Sequence, residues 1–204
     1  MKAALNLASV LDRWSRTVGH AAAWLIVPLV FMIVFDVVTR KVDFIRLYFS
    51  QFSIDYGYSV STILQDMQWH LHGVILLLTF GFGYLANAHV RVDVFREHIR
   101  PRKQAWMEFI GLLLLAIPFL LAVSWESWIL VSISYEQGEG SESMTGIPWR
   151  YVIKGFMLIG CIVLALAIFA TLFRLAAYLF GTREEHEEAR DALEIFNYEH
   201  HKPE

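Results

Sequence analysis

Cysteine is nearly missing from this chain. The single residue, Cys161, stands inside an apolar run, so no disulfide framework and no CxxC redox or zinc motif can form within the chain. It is expected to be a small packing residue, as free cysteines usually are. Charge is scarce as well: 18% of the 204 residues are Asp, Glu, Lys or Arg, against about 25% in an ordinary soluble domain. There is no HExxH, no glycine-rich phosphate loop and no nucleophile motif, so the chain is not expected to be an enzyme or to hold a cofactor or metal. Internal repeats and low-complexity tracts are absent too. The net charge of −3 decides little, because its distribution matters more than its sum, and nucleic acid is not an expected partner.

What is abundant is apolar surface. Hydrophobic residues make up 56% of the chain and the mean hydropathy is +0.46. The excess lies in long runs, which points to an all-α membrane protein set in the lipid bilayer, with little room for a soluble domain. Four spans are predicted, at about 21–38, 69–86, 109–131 and 155–180, forming a membrane domain over 1–180 with a charged tail over 181–204. The 18 residues from Trp69 to Ala86, at about 1.5 Å each, nearly cross a hydrocarbon core of about 30 Å. Pro28 and Pro118 predict kinks and not breaks, because neighbours in a membrane helix can re-satisfy the freed carbonyl.

Lys and Arg set the expected orientation. Twelve fall in the N-terminal segment, the second loop and the stretch from Arg174 onward; five fall in the first and third loops. The positive-inside rule then puts both termini in the cytoplasm. Residues 1–20 read as a weakly amphipathic helix on the membrane surface, with Leu7, Leu11, Trp14 and Val18 at helical spacing. A cleaved signal peptide is not expected, since the polar lead-in is long and no small-residue cleavage site follows the first apolar run. The long first loop carries Phe44, Tyr48, Phe52 and Tyr56 at i, i+4 spacing, which reads as an interfacial helix or a surface that a partner covers. In the second loop, Val90 to Val94 alternate with period two, Asp93 could cap a short helix, and Pro101 suits a helix first turn. The tail reads as a solvated, partly frayed helix.

Charges at membrane depth are functional candidates, since each costs about 2.5–3.5 kcal/mol at mid-helix. Asp36, Glu126, His70, His72 and Lys154 fall toward the outer third, and Arg174 and His89 toward the inner face. An outer cluster pairing Glu126 or Asp36 with Lys154 or Arg40 is geometrically allowed. Locking the bundle, or snorkelling to the interface, is the favoured role for these residues, over moving an ion or substrate. The histidines raise an alternative, a cytochrome-like redox subunit, because facing histidines in a four-helix bundle can hold haem. Their levels argue against it: helices three and four carry none, and only His20 and His89 could share a plane. The third loop, Glu136 to Arg150, has three glycines and an Ile-Pro-Trp turn, with Pro148 near a helix start and Trp149 as an interface anchor.

Three pieces together resemble one family: Leu64 to Leu71 with Trp69 and His70, the run His89-Val90-Arg91-Val92-Asp93-Val94-Phe95, and Glu139-Gly140-Ser141 through Gly146-Ile147-Pro148-Trp149-Arg150 to Lys154. In order and spacing over roughly 14–180, the chain is similar to the small (DctQ-like) membrane subunit of a tripartite ATP-independent periplasmic (TRAP) transporter. The resemblance implies an inner-membrane scaffold packed against a large membrane subunit that carries the substrate and sodium sites. A periplasmic substrate-binding protein would deliver an organic anion, often a carboxylate, and the scaffold could help to dock it. On this reading Arg91 and Asp93 fix the inner loop, while Trp69, His70, Glu126, Gly140, Ser141, Pro148, Arg150 and Lys154 serve structure and interface.

Overall fold

The computed structural model describes residues 1–88, 99–143 and 145–193. Helices α1 (Lys2–Ala23), α2 (Ile26–Lys41), α3 (Asp43–Tyr56), α4 (Val60–Leu85), α5 (Pro101–Gly111), α6 (Ile117–Glu136), α7 (Arg150–Phe180) and α8 (Arg183–Asp191) follow in order. A π-helical turn over Leu112–Ala116 joins α5 to α6, and no strand occurs among the described residues. Among the described residues, three helical stretches are long and apolar enough to cross a membrane: Lys2–Lys41, Pro101–Glu136 and Arg150–Phe180. The remaining expected span, 69–86, falls on α4. That helix has 26 residues, about 39 Å at 1.5 Å per residue, but Gln65, Asp66, Gln68, His70 and His72 dilute its first half.

Proline and left-handed residues punctuate the helices. Pro28 has no N–H to give to Trp24 O; Val27 N takes that carbonyl instead at 3.2 Å, and the helix is interrupted between α1 and α2. The expected kink is therefore a local break in the α ladder. Pro118 acts differently, because Ile117 N–H reaches back to Leu112 O and the π turn takes up the misfit without ending the helix. Pro101 opens α5, as expected for a first-turn proline. Asn87 (φ 51°) closes α4, with Ala88 N bonded to Gly83 O at 3.0 Å and Asn87 N to Tyr84 O at 3.1 Å, a Schellman pattern.

The contacts divide the chain into two compact units, and α1, α4, α6 and α7 contribute residues to both. One comprises 1–19, 79–123 and 160–204. Its core gathers on the end of α7, where Ile168, Leu172, Leu175 and Leu179 bury against Leu5, Ala105, Leu112 and Ala189. Small residues allow close packing: a Cβ on Gly19 would collide with Phe82, and one on Gly81 with Ser15 and the Val163 carbonyl. On α1 the buried positions are Leu5, Ala8, Ser15, Gly19 and Ala22, whereas Leu7 and Trp14, half of the expected apolar stripe, face outward. Asp12 accepts from Arg16 Nε and from Arg174 at 3.1 Å each, fixing α1 to α7 with three largely buried charges. Thr182 donates through N–H (2.9 Å) and hydroxyl (3.1 Å) to Glu185, whose other oxygen meets the amino group of Met1 at 3.1 Å. This cap supports α8, the expected tail helix.

The other unit comprises 20–78 and 124–159. The expected helix in the first loop is α3, set off from α2 by the extended residue Val42 and closed by Gly57 in the left-handed region (φ 72°). None of its residues is buried, and Phe44, Tyr48 and Tyr56 stand exposed. Asp36, buried on α2, accepts from Arg40 Nε at 3.0 Å and lies 3.0 Å from a second guanidinium nitrogen.

Candidate functional site

The polar start of α4 and the 137–149 loop build one site in the second unit. Asp66, Trp69, His70 and Leu77 recur at helical spacing and share one side of α4. After α6, Gly138 (φ 59°) reverses the chain, with Glu139 N bonded to Ser134 O and Gly138 N to Tyr135 O. The loop then closes on itself. Ser141 N donates to Ile147 O at 3.0 Å, and Arg150 N to Glu139 O at 2.9 Å. Trp149 sits between these ties in the left-handed region (φ 63°), a cost of about 1–3 kcal/mol that the closed loop offsets.

One side chain anchors this loop to the helix. Asp66 Oδ2 accepts the Ile147 N–H at 3.0 Å, across 81 residues of sequence. Gly146 makes that approach possible, because a Cβ there would overlap the Asp66 carboxylate and the Ser141 side chain. Arginine and lysine complete the lock from the first turns of α7. Lys154 Nζ is paired with Glu139 Oε2, and Arg150 reaches Glu139 at 3.7 Å and Glu142 at 3.4 Å. The Lys154 ammonium, foremost among its neighbours, holds the Glu139 carboxyl below the usual carboxylate range.

These groups surround a hollow of about 530 Å³ lined by Asp66, His70, Ser141, Glu142, Arg150 and Lys154. Three carboxylates meet two cations here, counting Glu139 beside them, and both cations are already paired. Such an arrangement fixes geometry and presents a mixed-charge surface: both cations are held by Glu139 and Glu142, and the one carboxylate in excess, Asp66, is taken by the Ile147 N–H. No group of three or more His, Cys, Asp or Glu that could hold a metal occurs among the described residues.

The structure gathers most of the sequence-selected residues. Trp69, His70, Ser141, Arg150 and Lys154 line the hollow, and Gly140 lies against Pro148, two residues before α7. Of the outer pairs considered, Asp36–Arg40 forms, whereas Lys154 takes Glu139. Glu126 is not brought in. It lies exposed on α6 between Trp125 and Trp128, while Ser127 and Ser134 face inward. Arg91 and Asp93, with the whole His89–Phe95 run, lie outside the described residues. Two residues escaped sequence reasoning: Asp66, and Gly146 as a close-approach position. The available signal was Asp66 at i−4 from His70 and i−3 from Trp69, on the face already singled out.

The family described as tripartite ATP-independent periplasmic transporters, DctQ component, matches residues 29–177. The chain belongs to this family. It is thus a small membrane component of a TRAP transporter, and the all-helical fold with its spanning stretches agrees with that. No curated protein and no solved structure gives a match. The matched range of this DctQ component contains Asp66, the whole third loop and Lys154, and leaves out α8 and all of α1.

Proposed function

We propose that this DctQ component is the static scaffold of a sodium-coupled, binding-protein-dependent transporter of organic anions such as carboxylates. Its partners are a large membrane subunit, which carries the substrate and sodium, and a periplasmic substrate-binding protein. α4 is the fourth span, both termini lie on the cytoplasmic side of the inner membrane, and α3 rests at the outer interface. The observation that carries this reading is that the charged groups of the polar hollow are already partnered within the chain. Its acids and bases lock α4, the loop and α7 together, which suits a fixed part better than a moving or substrate-binding one. The loop's outward surface, with Trp149 and Glu142 exposed, is the part we assign to docking the binding protein.

Glu126 supplies a second clue to assembly. It stands exposed on a span, with no ion pair or hydrogen bond among the described residues. Facing lipid, a carboxylate there would cost about 2.5–3.5 kcal/mol at mid-helix depth, somewhat less nearer the end. We assign this face of α6 to the large subunit. Arg91 and Asp93 are assigned to fixing the inner loop. The test is purification of the tagged chain from its native membrane in mild detergent. A near-stoichiometric polytopic partner is expected, with binding-protein-dependent uptake in vesicles only when both subunits are present. A chain that stays alone and monodisperse, with uptake unaffected by its omission, would overturn the scaffold reading. The redox alternative has no supporting observation: His70 lines the hollow and His186 is bonded to the Tyr178 carbonyl at 2.7 Å.

A further inference from the structure

A second hollow, of about 330 Å³, opens where α2 ends, α3 turns back and α4 begins. Its polar lining is one-sided. Arg40 and Arg46 contribute guanidinium groups, Thr39, Ser50, Ser53, Ser59 and Ser61 contribute hydroxyls, and among the described residues no carboxylate lines it. The matching acids sit to the side: Asp36 takes one edge of Arg40, and the exposed Asp43 takes one nitrogen of Arg46 at 2.9 Å. A guanidinium has five N–H donors, so each arginine keeps donors in hand. Ser59 Oγ accepts from Thr62 N at 3.4 Å and so keeps its own hydroxyl proton to give. Ser61 and Ser53 are spent on Asp36 and on the Phe49 carbonyl.

The rim is apolar. Phe49 lines the hollow and packs edge-on against Tyr48 on α3 and Phe35 on α2, Phe35 in turn stacks on Phe31, and Phe31, Phe35 and Tyr48 are all exposed. A donor-rich hollow opening onto apolar helix faces fits an amphiphile with an anionic head. We propose that this hollow binds the phosphate of a membrane phospholipid, with Arg40 and Arg46 on the phosphate oxygens, Ser50 and Ser59 beside them, and the acyl chains along the outward face of α2. Arginine favours this role because its planar fork matches two phosphate oxygens at once. The proposal rests on the interfacial position assigned to α3. A lipid here would pin α3 to α2 across the hinge at Val42.

The test uses the full chain, delipidated in detergent, and follows its unfolding temperature against added dioleoyl phosphatidylglycerol. Saturable stabilisation is expected, with none from dioleoylglycerol, which lacks the phosphate, and none from inorganic phosphate at the same concentration. Arg46→Gln should weaken apparent lipid affinity about tenfold, the usual size for one charge-assisted contact, and Arg46→Lys should recover part of it. Arg46 is exposed and its loss spares the core, so the variant will fold; Arg183→Gln, on the exposed side of α8, controls for charge and should leave affinity unchanged. Equal stabilisation by dioleoylglycerol, or equal weakening in Arg183→Gln, would overturn the headgroup site. Equal protection by inorganic phosphate would overturn the lipid in favour of a free anion and leave the interfacial position of α3 standing.

Discussion

Removal of the Asp66 carboxylate isolates the tie between α4 and the third loop. In Asp66→Ala the Ile147 N–H loses its acceptor at 3.0 Å, while the loop's own bonds, Ser141 to Ile147 and Arg150 to Glu139, remain. A hydrogen bond to a charged group contributes about 1.5–3 kcal/mol, and the half-buried position of Asp66 favours the lower end of that range. About 1.5 kcal/mol corresponds to roughly tenfold more frequent opening of the loop. Asp66→Asn keeps a neutral acceptor of the same shape and should lose about half that free energy, so roughly threefold. Hydrogen exchange of the 139–150 segment, followed by mass spectrometry in detergent, reads both numbers, because exchange tracks the population of the open form. Uptake driven by the binding protein should fall in the same order: native, Asn, Ala. Equal exchange at Ile147 in the native chain and Asp66→Ala would refute the anchoring role, whatever happens to uptake.

Three other perturbations separate the remaining assignments. Glu126→Leu removes a charge from the outer face of α6, so the isolated chain should gain thermal stability while the large subunit co-purifies less well; unchanged recovery of the complex would remove Glu126 from the interface. Asp12→Ala leaves Arg16 and Arg174 buried without their shared carboxylate, and the loss should be about 3 kcal/mol, a fall on the order of 10 °C in the thermal midpoint; a shift within error would mean the triad is not a lock. Glu185 is held down to about 2, from 4.5, mainly by the Thr182 N–H and then by the Met1 amino group. Its folded value is the lower one, so its stabilisation of α8 is full above pH 4.5 and fades as the pH drops toward about 2. Proteolysis after Arg183 or Arg190 should therefore accelerate across that window with an acid-tolerant protease, and Glu185→Gln should abolish the pH dependence; an identical profile in the variant would refute the cap.

How much of this was legible in the sequence depends on how far each interaction reaches. Apolar length marks α7 and the α5–α6 stretch plainly, and aromatic spacing marks α3, because both signals are periodic along one segment. Asp36 and Arg40 stand four residues apart, so their pairing is written locally. Asp12 and Arg174 are 162 residues apart, and Asp66 and Ile147 are 81 apart. Nothing in either neighbourhood names the partner, and Asp66 in particular looks like one more polar residue at a helix start. The consequence of a proline was also only half legible. Pro118 and Pro28 raise the same local problem, yet one is absorbed in a π turn and the other interrupts the helix.

The pairing pattern itself argues for a rigid role. In each unit the charges at helix depth are mostly consumed: Asp12 by Arg16 and Arg174, Asp36 by Arg40, Glu139 by Lys154 and Arg150. A buried pair adds little net stability over apolar packing, but it penalises any motion that parts its members by several kcal/mol. Asp12–Arg174 ties α1 to α7 and Glu139–Lys154 ties the third loop to α7, so both resist relative motion, whereas Asp36–Arg40 lies within α2 and stiffens that helix alone. A subunit that moved its cargo through its own bundle would need the opposite, charges whose partners change between states. Glu126 and the arginines of the second hollow keep their unused capacity on the outside of the chain, where a neighbouring subunit or a lipid can reach it.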